Sequence, residues 1–357
     1  LRIALLTDAW LPQVNGVVTT LGHVVRHLEA NGHQVLVVHP ALFRTIPCPR
    51  YPQIRLAVLP GRRIRRLLDE WRPDAIHVAT EGPIGLAGRG WCRSRKRRFT
   101  TSFHTQFALY LRTYAGVPTR LSYAGLRWFH NAAERTLVPT ESVREELAGR
   151  GFHGARTWTR GVDHERFHAR DVAERDFLGL PRPILLYAGR VAAEKNIESF
   201  LRLAHPGTKL VVGDGPIRAS LQRRFPDAHF VGMKHGDELA QHFAAADVFV
   251  FPSRTDTFGV VMLEAMACGV PVAAYPVTGP RDVVREGVCG AVDDDLDAAV
   301  ARALTVSRAT VLAYAQGFTW ERTGQMFEEN LAVGPRSEPP ESIVAPSPVG
   351  RAAQSPH

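Results

Sequence analysis

Two carboxylates, Asp256 and Glu264, stand with seven residues between them in a largely apolar stretch, Val248 to Ala274 (VFVFPSRTDTFGVVMLEAMACGVPVAA). Val248–Phe251 reads as a buried parallel strand. Ser253 to Thr257 is a polar loop, and from Gly259 the spacing turns helical, with Val260, Leu263, Met266 and Ala267 on one face. Gly269 stops that helix, and Val270–Ala274 predicts the next strand. Glu264 lies between Leu263 and Ala265. A carboxylate among such neighbours is costly to bury unless something hydrogen-bonds it. The amides at the helix start, near Gly259 and Val260, form a natural anion site. Strand, acidic loop, helix start and inward acid can together hold phosphate and sugar hydroxyls. A helix-capping Asp256 with a surface Glu264 is the plainer alternative.

Cations stand at another strand end. In ILLYAGRVAAEKNIESF a buried strand ends at Gly189, and Arg190 and Lys195 follow before a helix that runs through Phe200. A guanidinium fork and an ammonium point charge around such a turn can clamp a diphosphate; a solvated surface pair is the alternative. His104 ends the strand of TTSFHTQF, where side chains of an α/β sheet face the ligand crevice, although a satisfied structural histidine fits the same position. Asn15-Gly16 follows the first strand where a strand-to-helix loop points amides at a cleft, or is an ordinary turn. It is not GxGxxG, so a nicotinamide site gains little support. Gly213 in the turn GDGP and Met233 in FVGMKHGDEL close two more strands and can border a base pocket. Asp293, Asp294 and Asp295 are expected to cap a helix at 296–304 rather than to bind a metal.

The elements that must position these groups alternate strand and helix almost throughout, which points to a doubly wound α/β architecture. In the first half, strands are expected at Ile3–Thr7, Val35–His39, Ile54–Leu59, Ala75–Ala79, Phe99–Phe103 and Thr136–Pro139. Helices include Val17–Ala30, Ile64–Trp71 and Glu141–Arg150. After a polar connector, a second series runs Ile184–Ala188, Leu210–Gly213, His229–Val231, Val248–Phe251 and Val270–Ala274. This places a first Rossmann-like domain at 1–168 and a second at 169–333. The Pro/Ser/Ala-rich segment 334–357 is expected to be disordered.

Composition bounds the rest. With 357 residues, 45% hydrophobic and 22% charged, the chain fits a soluble globular protein of two domains. No apolar run reaches bilayer length and no signal peptide is legible, so no leader is expected. Cys48, Cys92, Cys268 and Cys289 lack metal or redox spacing, which suits a reducing cytosol. The net charge of +9 is unevenly placed: residues 1–168 hold 25 Lys/Arg against 12 Asp/Glu, and the remainder 19 against 23. That asymmetry predicts an anionic partner for the first half. Helix 62–71 carries Ile64, Leu67, Leu68 and Trp71 on one face and four arginines around the rest. The run from Arg93 to Arg98 is basic as well. Phe107, Tyr110, Tyr114, Tyr123, Trp128 and Phe129 form an aromatic segment fit for an acceptor groove, a bilayer contact or simply core.

Six segments together identify a family. RIALLTDAWLPQVNGVVTTL, TTSFHTQF, RGVDHERF, YAGRVAAEKNIESFL, VVGDGP and FPSRTDTFGVVMLEAMACGVPVAA span residues 1–282. The chain resembles the retaining glycosyltransferases of family 4, and among them bacterial α-mannosyltransferases and glycolipid glycosyltransferases. The resemblance implies a GT-B fold, two Rossmann-like domains facing a central cleft, with a last helix near 319–331 crossing back onto the first domain. It implies that Asp256, where most members have glutamate, contacts the donor sugar and that Glu264 holds the ribose. Arg190 and Lys195 match the pair on the donor diphosphate, His104 the histidine beside the reacting sugar, and Gly16 the N-terminal loop glycine. With Gly213, Met233, Phe258, Gly259 and Val260 they make up the expected donor site.

The expected reaction is hexosyl transfer, mannose or glucose type, from a GDP- or UDP-linked sugar to a hydroxyl of a lipid or glycolipid, with no metal or other cofactor. The basic first half adds peripheral contact with an anionic membrane, and the expected place is the cytoplasm or its membrane face. Transfer to a soluble glycan, sugar-nucleotide epimerisation and an inactive GT-B partner subunit are the alternatives. Nucleic-acid binding is set aside, because the basic residues share a domain with matched enzyme motifs.

Overall fold

The structure is a computed structural model that describes residues 1–13, 15–48, 51–104 and 116–334, with the backbone alone at 51–53. The expected aromatics Phe107, Tyr110 and Tyr114, and the tail from 335, lie outside the described residues. Among the described residues there are fourteen strands: β1 Arg2–Leu6, β2 Gln34–Val38, β3 Thr45–Cys48, β4 Tyr51–Ala57, β5 Ala75–Val78, β6 Thr100–Ser102, β7 Arg135–Val138, β8 Ala155–Thr157, β9 Ile184–Ala188, β10 Thr208–Val212, β11 His229–Gly232, β12 Val248–Phe251, β13 Val272–Ala274 and β14 Gly290–Val292. Two parallel six-stranded sheets result, ordered β2-β1-β5-β6-β7-β8 and β11-β10-β9-β12-β13-β14. In each, the chain leaves its first strand to one side and later resumes on the other. The switch points fall between β1 and β5 and between β9 and β12. Crevices outside the strand C-termini at such points are where doubly wound sheets bind ligands.

The apolar runs became strands because helices cover both sheet faces. Ile184–Ala188 and Val248–Phe251 are buried along their whole length, as continuous rather than alternating patterns require. Ile54–Leu59 departs from expectation. Its residues belong to β4, which pairs antiparallel with β3, Thr45 opposite Ala57, apart from the main sheet. A parallel crossover needs a dozen or more residues, and the link between these two strands allows only a hairpin. The edge strands β8 and β14 have three residues each and were not expected, being too short to show a period.

Two devices fix the halves relative to each other. The segment after β8 lies against the returning chain. Val162 N donates to Phe318 O at 3.2 Å, and a Cβ on Gly161 would come within 2.4 Å of the Thr319–Trp320 peptide. Helix Trp320–Glu329 then packs on helix Gly16–Ala30 of the first half. The His23 ring stacks on Trp320 at 4.1 Å. Asn31 Nδ2 donates to Glu328 at 2.9 Å, and Trp158 Nε1 donates to Thr323 O at 2.9 Å. Across the cleft, Thr257 Oγ1 donates to His104 O at 2.6 Å, and Ser142 Oγ to Asp282 Oδ1 at 2.9 Å. The C-terminal edges of the two sheets therefore face each other.

Candidate active site

The cation-bearing side of the cleft is built on the switch point of the second sheet. β9 ends at Ala188 and delivers Gly189 and Arg190; the Tyr187 hydroxyl donates to Arg190 O at 2.7 Å. This loop is pressed flat against the one after β10. A Cβ on Gly213 would sit 1.9 Å from Gly189 O, and one on Gly215 would sit 2.2 Å from Val191 O. Glycine is required at both positions by that contact. Val191 N donates to Asp214 O at 2.9 Å and Gly213 N to Gly232 O at 2.8 Å, so three strand-end loops form one ledge.

Lys195 ends the 3₁₀ turn Ala193–Lys195 and reaches across to the loop after β12. Its Nζ donates to both Asp256 carboxylate oxygens, at 2.6 and 2.9 Å. Asn196 Nδ2 donates to Pro252 O at 3.1 Å and holds the same two loops together. Past Asp256, Phe258 is buried, and Gly259 turns into the left-handed region at φ 83° to start helix Val260–Ala267. A Cβ there would meet the Phe251 ring at 2.9 Å. Among the described residues no side chain caps this helix and no acid lies in its first turn, so the positive end of its dipole is left unneutralised there. Gly16 begins the facing helix, and its Cβ position lies 3.9 Å from Val260 Cγ2. Asn15 Oδ1 accepts from Val17 N and Val18 N at 3.1 and 3.0 Å. Those two amides serve the cap rather than the cleft.

Glu264 sits on the same short helix, part-buried, and no hydrogen bond reaches its carboxylate among the described residues. Burial pushes its pKa up to about 7, partly offset by the charge of Arg166. Met233 follows β11 and is exposed over half its surface. Asp295 caps helix Leu296–Ala303 through Asp297 N and Ala298 N. Among the described residues, no three His, Cys, Asp or Glu side chains gather as a set of metal ligands.

His104 leaves β6 on the other side of the cleft. Its Nε2 lies 2.8 Å from Ser102 Oγ and its Nδ1 3.4 Å from Arg160 Nη2. Burial, with Arg160, His77 and His130 nearby, holds its pKa well below the ordinary histidine value. Sequence reasoning missed Arg160, although it stands in the quoted segment RGVDHERF; an arginine before a glycine gives no sign of its burial. It also missed Asp8 at the end of β1. That carboxylate accepts from Ile84 N at 2.9 Å, Gly85 N at 3.3 Å and Thr80 Oγ1 at 2.9 Å, and so caps helix Pro83–Ser94. Arg218 is a further omission. Its guanidinium lies beside Gly232, with Nη1 3.4 Å from where a Cβ would stand, at the edge of the ledge near Met233.

Comparison with known proteins identifies the family and the fold. Residues 14–166 match the model of Glycosyltransferase Family 4, and residues 182–307 that of Glycosyl transferases group 1. The chain is 34% identical over 307 residues to a GDP-mannose-dependent alpha-mannosyltransferase of Mycobacterium tuberculosis, covering 79% of this chain and 81% of that protein. It is 27% identical to the alpha-monoglucosyldiacylglycerol synthase of Streptococcus pneumoniae, covering 85% and 78%. The sucrose-phosphate synthase of Thermosynechococcus elongatus shares the fold, with a TM-score of 0.73 at 20% identity over 92% of this chain and 97% of that one. The chain belongs to glycosyltransferase family 4 and is a hexosyltransferase of the GT-B fold.

Proposed function

We propose that this enzyme moves a mannosyl-type hexose from a GDP-linked donor to a hydroxyl of a lipid or glycolipid acceptor, with retention at the anomeric carbon and without a metal. The observation that carries the reading is that Arg190, Lys195 and the N-terminus of helix Val260–Ala267 all stand on the strand-end segments of one switch point, after β9 and β12. Departure of the diphosphate builds negative charge on the bridging oxygen and positive charge on the sugar. Fixed cations and amides aimed at the first stabilise the transition state without moving a proton. Asp256 and His104 flank the sugar in this reading, and Glu264 takes the ribose hydroxyls. The acceptor attacks from the face the diphosphate leaves, and the diphosphate oxygen takes the acceptor proton. Closure of the two halves excludes water.

The nucleotide and acceptor follow from two supports. The relatives at 34% and 27% identity are named for GDP-mannose and for a diacylglycerol product. Arg62, Arg63, Arg65 and Arg66 are exposed on helix Gly61–Trp71, and Leu59, Leu86, Leu121 and Trp128 are large apolar side chains exposed on neighbouring elements. Basic side chains around apolar ones suit an anionic bilayer surface. Part of the expected basic run serves the fold instead: Arg95 pairs with Asp69, Arg98 with Glu134, and Arg97 donates to the carbonyls of Pro73 and Asp74. No helix among the described residues is long and apolar enough to cross a membrane. The proposed working place is therefore the cytoplasmic membrane face, reached from solution.

Arg190→Ala and Lys195→Ala are each expected to lower turnover of a GDP-sugar by roughly 100-fold, the loss typical of one strong transition-state contact. Near-normal rates in both variants would sink the assignment. Glu264→Gln should separate stability from binding. With a folded-state pKa of about 7 against 4.5 for an exposed glutamate, this group favours the fold at low pH, and that contribution is lost as pH rises through 7. At pH 8 the ligand-free Gln variant should therefore be more stable than wild type by roughly 1–3 kcal/mol in chemical denaturation, yet bind GDP more weakly by calorimetry. A variant that is less stable and binds GDP normally contradicts the role given to Glu264. Replacing Arg62, Arg63, Arg65 and Arg66 together by Ser should weaken sedimentation with phosphatidylglycerol vesicles at least about 100-fold, at roughly 1 kcal/mol per arginine. Unchanged sedimentation would refute membrane contact through this helix.

A further inference from the structure

Arg160 is a cation in an unusual place. It is 4% exposed, in the segment that crosses between the two halves. Its Nη1 donates to Trp158 O at 2.5 Å and to Thr159 O at 3.1 Å. The guanidinium carbon lies 4.2 Å from the Trp158 ring and 5.9 Å from the Phe258 ring of the donor loop. Among the described residues no carboxylate bonds to it. Burying a guanidinium without a counter-charge is expensive, and the two backbone carbonyls satisfy only part of its five donors. A further donor, Nη2, is directed at His104 Nδ1, 3.4 Å away.

A guanidinium can only donate, so the ring nitrogen that faces it has to be the one without a proton. In a neutral imidazole the hydrogen is then on Nε2, which lies 2.8 Å from Ser102 Oγ and donates to it. Ser102 Oγ in turn reaches Ala79 O at 3.3 Å and His77 Nε2 at 3.0 Å. His77 is tied on its other side to Thr100 Oγ1 at 2.8 Å. The backbone of His104 is fixed as well, by Thr257 from the opposite half. Both nitrogens of the ring are thus committed to the protein.

We propose that Arg160 is a positioning residue for sugar transfer, locking the His104 ring as its neutral Nε2–H tautomer so that it forms a fixed wall of the sugar pocket and takes no part as acid or base. The inference rests on the reading of His104 as the residue beside the transferred sugar. A cation at Nδ1 opposes a second proton on the ring. The other titratable groups around it, His77 from β5, itself held at about 3 by burial, and His130 from helix Thr119–His130, also oppose a second proton on His104, and the nearby carboxylate of Glu81 is bonded to His130 at 3.1 Å. Thr257 and Phe258, from the donor half, carry no charge.

The test is nitrogen-15 NMR of histidine-labelled enzyme, with the His104 signals assigned by their loss in His104→Asn. Wild type should show one Nε2–H tautomer that does not titrate between pH 5 and 8; an Nδ1–H tautomer, or a titration in that window, overturns the lock. In Arg160→Gln the ring should show mixed tautomers, and kcat should fall at least about tenfold with a new acidic limb in the pH–rate profile. Arg160→Lys should recover part of the loss. If Gln keeps the single tautomer and the flat profile, Arg160 is not what fixes the ring. If either variant fails to fold, the wild-type spectrum still decides. Addition of GDP-mannose separates this proposal from the site reading. Shifted His104 signals with the tautomer unchanged support both. Unmoved signals while GDP-mannose binds at Arg190 leave the lock standing but remove its part in the transfer.

Discussion

Lys195 and Asp256 share a bidentate ion pair across the mouth of the second sheet, and the join between its two central strand-end loops depends on it. Their side chains are only 25% and 20% exposed, so neither charge is left single without a desolvation penalty. The pair couples the turn after β9 to the loop after β12, and Asn196 and Thr255 reinforce the same join. It is also a pair that a diphosphate can displace. In the proposed reaction a phosphate group would offer Lys195 more negative charge than one carboxylate does, and that exchange would release Asp256 toward the sugar hydroxyls.

That exchange works only on a rigid ledge. Gly213 and Gly215 let the loop after β10 lie directly on the backbone of Gly189 and Val191, and any side chain there would push apart the two loops that flank Arg190. Opposite, the returning helix Trp320–Glu329 and the crossover around Gly161 and Val162 tie the first half to the second. His104 and Gly16 consequently stand against the loop after β12 and the start of helix Val260–Ala267. Asp256, where the family resemblance implies glutamate in most members, is shorter than that acid by one methylene. In this structure the shorter side chain is close enough to Lys195 to hold both of its oxygens on the ammonium.

Much of this was legible in the sequence, for physical reasons that differ from site to site. Val248–Phe251 and Ile184–Ala188 could be read to the residue, because strands buried on both faces are uninterrupted apolar runs. Asp295 was readable as a cap because capping is local. The Lys195–Asp256 bond was not, since its partners are 61 residues apart and meet only through the order of β9 and β12. Arg160 was hidden for a similar reason. Its burial is a property of where the crossover segment runs, and nothing in TRGVD distinguishes it from a surface arginine. The β3–β4 hairpin shows the reverse case, in which a correct strand pattern says nothing about the partner.

The central claim is that the cations at the mouth of the second sheet exist to hold a departing diphosphate, and a crystal structure of the enzyme with bound GDP tests it most directly. The account predicts the β-phosphate about 3 Å from Arg190, from Lys195 and from the first amides of helix Val260–Ala267, with the Lys195–Asp256 bond opened. GDP bound elsewhere, or bound in the cleft with that ion pair intact and its phosphates touching neither cation, would contradict it.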